Sequence, residues 1–85
     1  MTDIEFDIID ELYFVTPFKD ILANLDLPQE ELGAQLFLLM KKGFVKAFYP
    51  DPDTEVELNE ERFEKKCVNC FYLATKAGLL AHNSR

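Results

Sequence analysis

The feature that most constrains this sequence is the change of apolar spacing at Gly43. Up to that point apolar residues recur at helical intervals, and from Phe44 to Tyr49 the composition is that of a strand. Leu32, Leu36 and Leu39 form one inward stripe of a helix that Pro28 opens and Gly43 stops. Lys41 and Lys42 suit its negative C-terminal end, and Glu30 and Glu31 its positive N-terminal end. The stop sets Phe44 and Val45 directly beside the helix, so a ribbon starting there buries its open face by packing across that helix.

Two further helix starts precede Pro28. Thr2 and Glu5 have capping-box spacing, and Ile4, Ile8, Leu12 and Val15 then share a core-facing stripe. Phe6, Ile9 and Tyr13 form a second apolar stripe on the same helix, which one core cannot also bury unless something covers it. Thr16-Pro17-Phe18-Lys19-Asp20 reads as a second start, with Thr16 as N-cap and Phe18, Ile21, Leu22 and Leu25 turned inward. Beyond the ribbon's first strand, Pro50 to Asp53 turns the chain, and Thr54 to Leu58 alternates as a half-exposed strand. Residues 59–67 fit either a short helix capped by Asn59 or an irregular loop. Cys70 to Ala74 returns as a strand against 44–49, and Thr75 caps a last short helix carrying Leu79 and Leu80.

Residues 1–85 therefore read as a single α+β domain: a three-helix bundle, a two- or three-stranded antiparallel wing and a short C-terminal helix. At 85 residues such a chain buries about 60–65% of its unfolded surface, enough for one core without a metal or a disulfide. No apolar run approaches the roughly 18 residues of a membrane span, and Met1-Thr2-Asp3 starts neither a basic nor an apolar leader. The expectation is a soluble, cytoplasmic protein.

The order of elements resembles the winged helix-turn-helix family. Leu25-x-Leu27, Leu32, Leu36, Leu39 and Gly43-Phe44-Val45 are similar to that family's stretch across the turn, third helix and first wing strand. Tyr72-Leu73-Ala74-Thr75-Lys76-Ala77-Gly78 is similar to the Tyr-x-Leu-Thr-x-x-Gly that often ends the wing, with Ala74 where leucine is usual. The resemblance covers roughly residues 3–82 and implies a regulator whose third helix enters the major groove of DNA.

Charge argues against that use. Sixteen acids against nine bases give a net charge of −7, and nine acids but one base, Lys19, precede position 41. Nucleic-acid binders draw most of their non-specific affinity from neutralising phosphates. The outward stripe of the third helix is Glu30, Ala34, Phe37 and Lys41, flanked by Glu31, Gly33 and Leu38. Base readout favours Arg, Lys, Asn and Gln, and this stripe offers one lysine at its far end. Six acids lie between Asp51 and Glu61 in the loop that would approach the backbone. A DNA-binding reading would rest on Gln29, Glu30, Ala34, Lys41, Lys42 and Lys46, with Lys65 and Lys66 adding charge.

The reading favoured by the residues is a small regulatory or adaptor module acting through protein contacts, self-associating as a homodimer or binding another protein. Its anchors are Ala34, Phe37 and Leu38 on the third helix and Phe6, Ile9 and Tyr13 on the first. Either stripe is otherwise covered from within, by Leu79, Leu80 or the 59–67 segment. Catalysis has little material: one histidine, His82, one serine, Ser84, and no glycine-rich phosphate loop. No cofactor or small-molecule substrate is implied. Cys67-x-x-Cys70 with His82 gives three ligands where tetrahedral zinc wants four, so the pair reads as one buried and one loop thiol in a reducing compartment. Asp51 to Glu57 alternates oxygens like a calcium loop but has Val56 where the glycine belongs, and reads as a solvated acidic loop. His82 reads as an exposed tail residue.

Overall fold

Thr2 opens the first helix as its spacing predicts. In the computed structural model, which describes residues 1–84, Thr2 Oγ1 accepts from Glu5 N at 3.1 Å and the Glu5 carboxylate accepts from Thr2 N at 2.9 Å. Helix α1 runs Asp3–Asp10, shorter than its apolar stripe. Ile8 and Leu12 are fully buried, but the chain has left the helix before Val15, which is exposed.

Glu5 also ties α1 to the end of the third helix. Its carboxylate is buried and accepts from Lys42 Nζ. That charged hydrogen bond, with the backbone bond from Thr2, holds the Glu5 carboxyl below the usual value of 4.5 against the opposing cost of burial. Gln keeps the capping-box acceptor, so Glu5→Gln removes only the charge, and because Lys42 is half exposed the change is expected to lower stability by about 1 kcal/mol at neutral pH. A depressed folded-state pKa contributes stability above the unfolded value and loses it as pH falls through the folded one. The gap between wild type and Glu5→Gln in urea titrations should therefore be full at pH 7 and shrink below about pH 4.5.

Strand β1 is the dipeptide Thr16–Pro17, and helix α2 (Phe18–Asn24) follows it without a side-chain cap. Thr16 was expected to cap this helix. Instead its hydroxyl donates to Glu11 O and Phe14 O, while its backbone pairs with Tyr72. Proline tolerates an edge strand because it has no N–H to leave unpaired, so Pro17 suits either role and pairing with Phe71 decides it. Phe18 and Ile21 are buried, and Leu22 and Leu25 half-buried.

Helix α3 spans Gln29–Lys41 with Leu32, Leu36 and Leu39 fully buried. Gly43 ends it in the left-handed region, φ +79°. Strands β2 (Val45–Phe48) and β3 (Glu55–Val56) form a hairpin. Helix α4 (Glu60–Lys66), capped by Asn59 through Arg62 N, resolves the segment that the sequence left open, and a 3₁₀ turn (Cys67–Asn69) completes it. Strand β4 (Phe71–Ala74) pairs with β2 in the register Val45↔Ala74 to Phe48↔Phe71. Helix α5 (Lys76–Asn83) is capped by Thr75.

The described residues thus form an α+β domain of five α-helices and a four-stranded antiparallel sheet ordered β1-β4-β2-β3. None of the helices is long and apolar enough to cross a membrane. The core lies between the sheet and helices α1 to α3. A row of aromatic rings extends it outward: Phe18 to Tyr72 at 6.4 Å, Tyr72 to Phe63 at 6.3 Å, Phe63 to Phe37 at 5.4 Å. The last pair joins α4 to α3.

Candidate functional site

Asn59 begins α4 at a point where its first buried residue, Phe63, faces α3. Phe63 stacks at a tilt on Phe37, and Cys67 Sγ lies 3.5 Å from where a Cβ on Gly33 would stand. The pairs 37–63 and 33–67 run in opposite directions along the chain, so the two helices are antiparallel. Between them is a groove of about 570 Å³. One wall is α3, with Gly33, Ala34, Phe37 and Leu38; the other is Phe63, Cys67 and Val68. Gln29, Glu30, Glu60 and Glu64 form the rim, and among the described residues no lysine or arginine lines it.

Leu38 is 48% exposed and Val68 41% exposed, so the groove presents apolar surface to solvent. Its thiol adds no reactivity. Burial pushes the Cys67 thiol up, chiefly by desolvation, and Cys70, which is buried behind it, moves the same way. A thiol held protonated is a weak nucleophile. Tyr72 donates to Cys67 O at 2.7 Å and fixes the turn after α4. Among the described residues no cluster of three or more His, Cys, Asp or Glu side chains could hold a metal ion.

The structure brings the three anchors expected on the third helix together in this groove. Ala34 and Leu38 are exposed there, whereas Phe37 is half-buried because Phe63 covers one face of its ring. The first-helix anchors are closed off. Ile9 is fully buried, and Phe6 stacks on His82 with ring centroids 4.0 Å apart. Tyr13 is half-exposed but its hydroxyl lies 3.3 Å from His82 Nδ1 and bonds Asn83. Ile9 is buried and His82 of α5 covers Phe6, so of the three only Tyr13 stays exposed. His82 is correspondingly not an exposed tail residue: it is 7% exposed, with Nε2 3.5 Å from Asp10.

The residues of the DNA-binding alternative fall in separate places, with Lys41 and Lys46 together lining a second depression beside Phe37. Gln29 and Glu30 line the groove beside Ala34. Lys42 is bound to Glu5, and Lys46 sits 3.8 Å from Glu55 and over the Phe48 ring. Lys41 lies over Phe37, 5.7 Å from the ring centroid. Of the two lysines that would add charge to that reading, Lys65 pairs with Glu61 and Lys66 lies over Tyr49.

The sequence left the second wall open, with residues 59–67 a candidate cover that fits either helix or loop. Its signal was present: Phe63 and Cys67 stand four residues apart after an Asn59 cap, which places both on one face of a helix. No protein-family model, curated protein or solved structure matches the chain.

Proposed function

We propose that this chain is a winged-helix module that works through protein contacts rather than by reading DNA, with the groove between α3 and α4 as its contact surface. The winged-helix assignment is supported by the order of elements. β1 pairs beside β4, β2 and β4 form the antiparallel ribbon, and α3 precedes them. In this arrangement α4 is an insertion within the wing.

One observation carries the functional reading: the outward face of α3, which a DNA-binding relative would place in the major groove, is here one wall of an apolar, acid-rimmed groove. A phosphate backbone approaching it would meet three carboxylates, Glu30, Glu60 and Glu64, against the charge of Lys41 over Phe37. The lysines nearest in sequence, Lys41, Lys42 and Lys46, are each held by an aromatic ring or a carboxylate, so recruiting them would first break those contacts. The adaptor reading also fits the sheltered thiols, which leave the groove without an activated group.

Non-specific DNA affinity is largest at low salt, so fluorescence anisotropy with labelled duplex at about 50 mM salt is the sensitive test. The expected result is no binding. Binding that weakens when Lys41, Lys42 or Lys46 is changed to alanine would overturn the protein-contact reading.

A further inference from the structure

Resting on the protein-contact reading, we infer that the groove receives an amphipathic helix from a partner protein, with lysine or arginine flanking its apolar stripe at both ends.

The shape argues for a helix. One wall is α3 and the other is α4 with the 3₁₀ turn that follows it, so neither presents a strand's row of unpaired backbone groups. The groove therefore offers no strand edge to which an extended peptide could add. An occupant entering an apolar cleft must pair its own N–H and C=O groups, and a helix does this internally. From Gln29 to Leu38 the α3 wall is nine residues of rise, about 14 Å, which is two and a half turns. A helix lying along it presents apolar side chains at i, i+3 or i+4, and i+7. The wall tapers: Gly33 and Ala34 let a helix backbone come close at one end, and Phe37 and Leu38 offer side-chain contact at the other.

The charges specify the flanks. Because α3 and α4 are antiparallel, Glu30 lies at the end where Gly33 meets Cys67, and Glu60 lies beyond Phe63 toward the opposite end. Glu64 stands between them on the rim. The carboxylates Glu30, Glu60 and Glu64 outweigh the charge of Lys41 over the Phe37 ring, so an acidic occupant would meet mostly like charge and a basic one would find partners at both ends. The chain as a whole carries −7, which steers cationic partners toward it. Apolar anchors supply most of the affinity, and the rim sets which partner is accepted and how binding depends on salt.

The test uses the full chain as bait against a displayed library of amphipathic helices, flanked either by Lys and Arg or by Asp and Glu, alongside extended peptides of matched composition. Basic-flanked helices should be enriched. Their affinity should fall roughly tenfold on raising salt from about 50 mM to 0.5 M. It should fall at least about tenfold in Ala34→Lys and in Leu38→Lys, both exposed positions that leave the core intact. The double reversal Glu30→Lys with Glu60→Lys, which changes the charge at both ends, should shift enrichment to acidic flanks. Enrichment of acidic or extended sequences whose binding is still lost in Ala34→Lys would overturn the basic-helix inference while the protein-contact reading stands. Binders indifferent to both Ala34→Lys and Leu38→Lys, or no binders at all, would overturn both.

Discussion

Gly78→Ala is expected to cost about 3 kcal/mol or more, a fall in melting temperature of roughly 15 °C for a chain of this size. Helix propensity alone predicts the opposite sign, since alanine is favoured over glycine inside a helix by up to about 1 kcal/mol. The contact at this position decides the sign. A Cβ on Gly78 would stand 2.2 Å from Phe44 O, 3.0 Å from Phe44 C and 3.2 Å from Phe44 Cα. These are backbone atoms at the entry to β2, and they are not free to retreat. Phe44 O accepts from Thr75 N at 2.9 Å, and the Thr75 hydroxyl donates to Gly43 O at 2.6 Å while accepting from Gly78 N. Relieving the clash means lifting α5 off the turn after α3, which uncovers Phe6 and Ile9 from beneath it. Gly33→Ala is the internal control. Its Cβ would meet only Cys67 Sγ at 3.5 Å, an ordinary contact, so propensity should win there and stability should hold or rise slightly. Thermal melting of the two variants checks both signs, and a Gly78→Ala protein as stable as Gly33→Ala would show that α5 does not press on Phe44.

Gly78 also shows what was legible in the sequence and in what sense. The run Tyr72 to Gly78 was read through its family likeness, and each of its ends has a physical task here: Tyr72 crosses the core to Cys67, and Gly78 admits the close approach of α5. The leucine stripe of α3 and the Gly43 stop were equally plain, because a three-turn helix repeats its signal and a left-handed turn needs a particular residue. Short elements gave no such repeat. Two residues cannot display strand alternation, so Thr16-Pro17 showed only its helix-start chemistry, and its pairing with β4 depends on chain 55 residues away. The second stripe of α1 was visible as apolar surface, but its cover is a histidine, a residue type that carries no apolar periodicity. For the groove, the outward face of α3 was derivable and the opposite wall only weakly so, from the Asn59 cap and the four-residue spacing of Phe63 and Cys67. Helix α4 buries one side chain, Phe63, among charged neighbours, and a single anchor sets no period.

That single anchor makes Phe63→Ala the most informative substitution for function. The Phe63 ring is 3% exposed and is held between Phe37 and Tyr72. Truncating a buried phenylalanine costs about 3–5 kcal/mol where the surroundings cannot relax. Here they can relax in one way, because seven residues of helix are too few to persist without packing. Undocking of α4 lets the site relax instead of leaving a rigid void, so the loss should fall toward the lower figure, about 3 kcal/mol. The damage should also be local. Amide exchange in 60–69 should accelerate strongly, while the β2–β4 ladder and the buried face of α3 keep most of their protection. Phe63→Leu, which keeps an apolar side chain in the same place, should cost less than half as much and leave α4 protected. Basic-helix binding should then follow α4 rather than global stability: retained in Phe63→Leu, lost in Phe63→Ala at temperatures where the sheet is still fully folded. Binding that survives in Phe63→Ala with α4 exchanging freely would mean that the partner needs only the bare face of α3, and that the second wall has no part in recognition.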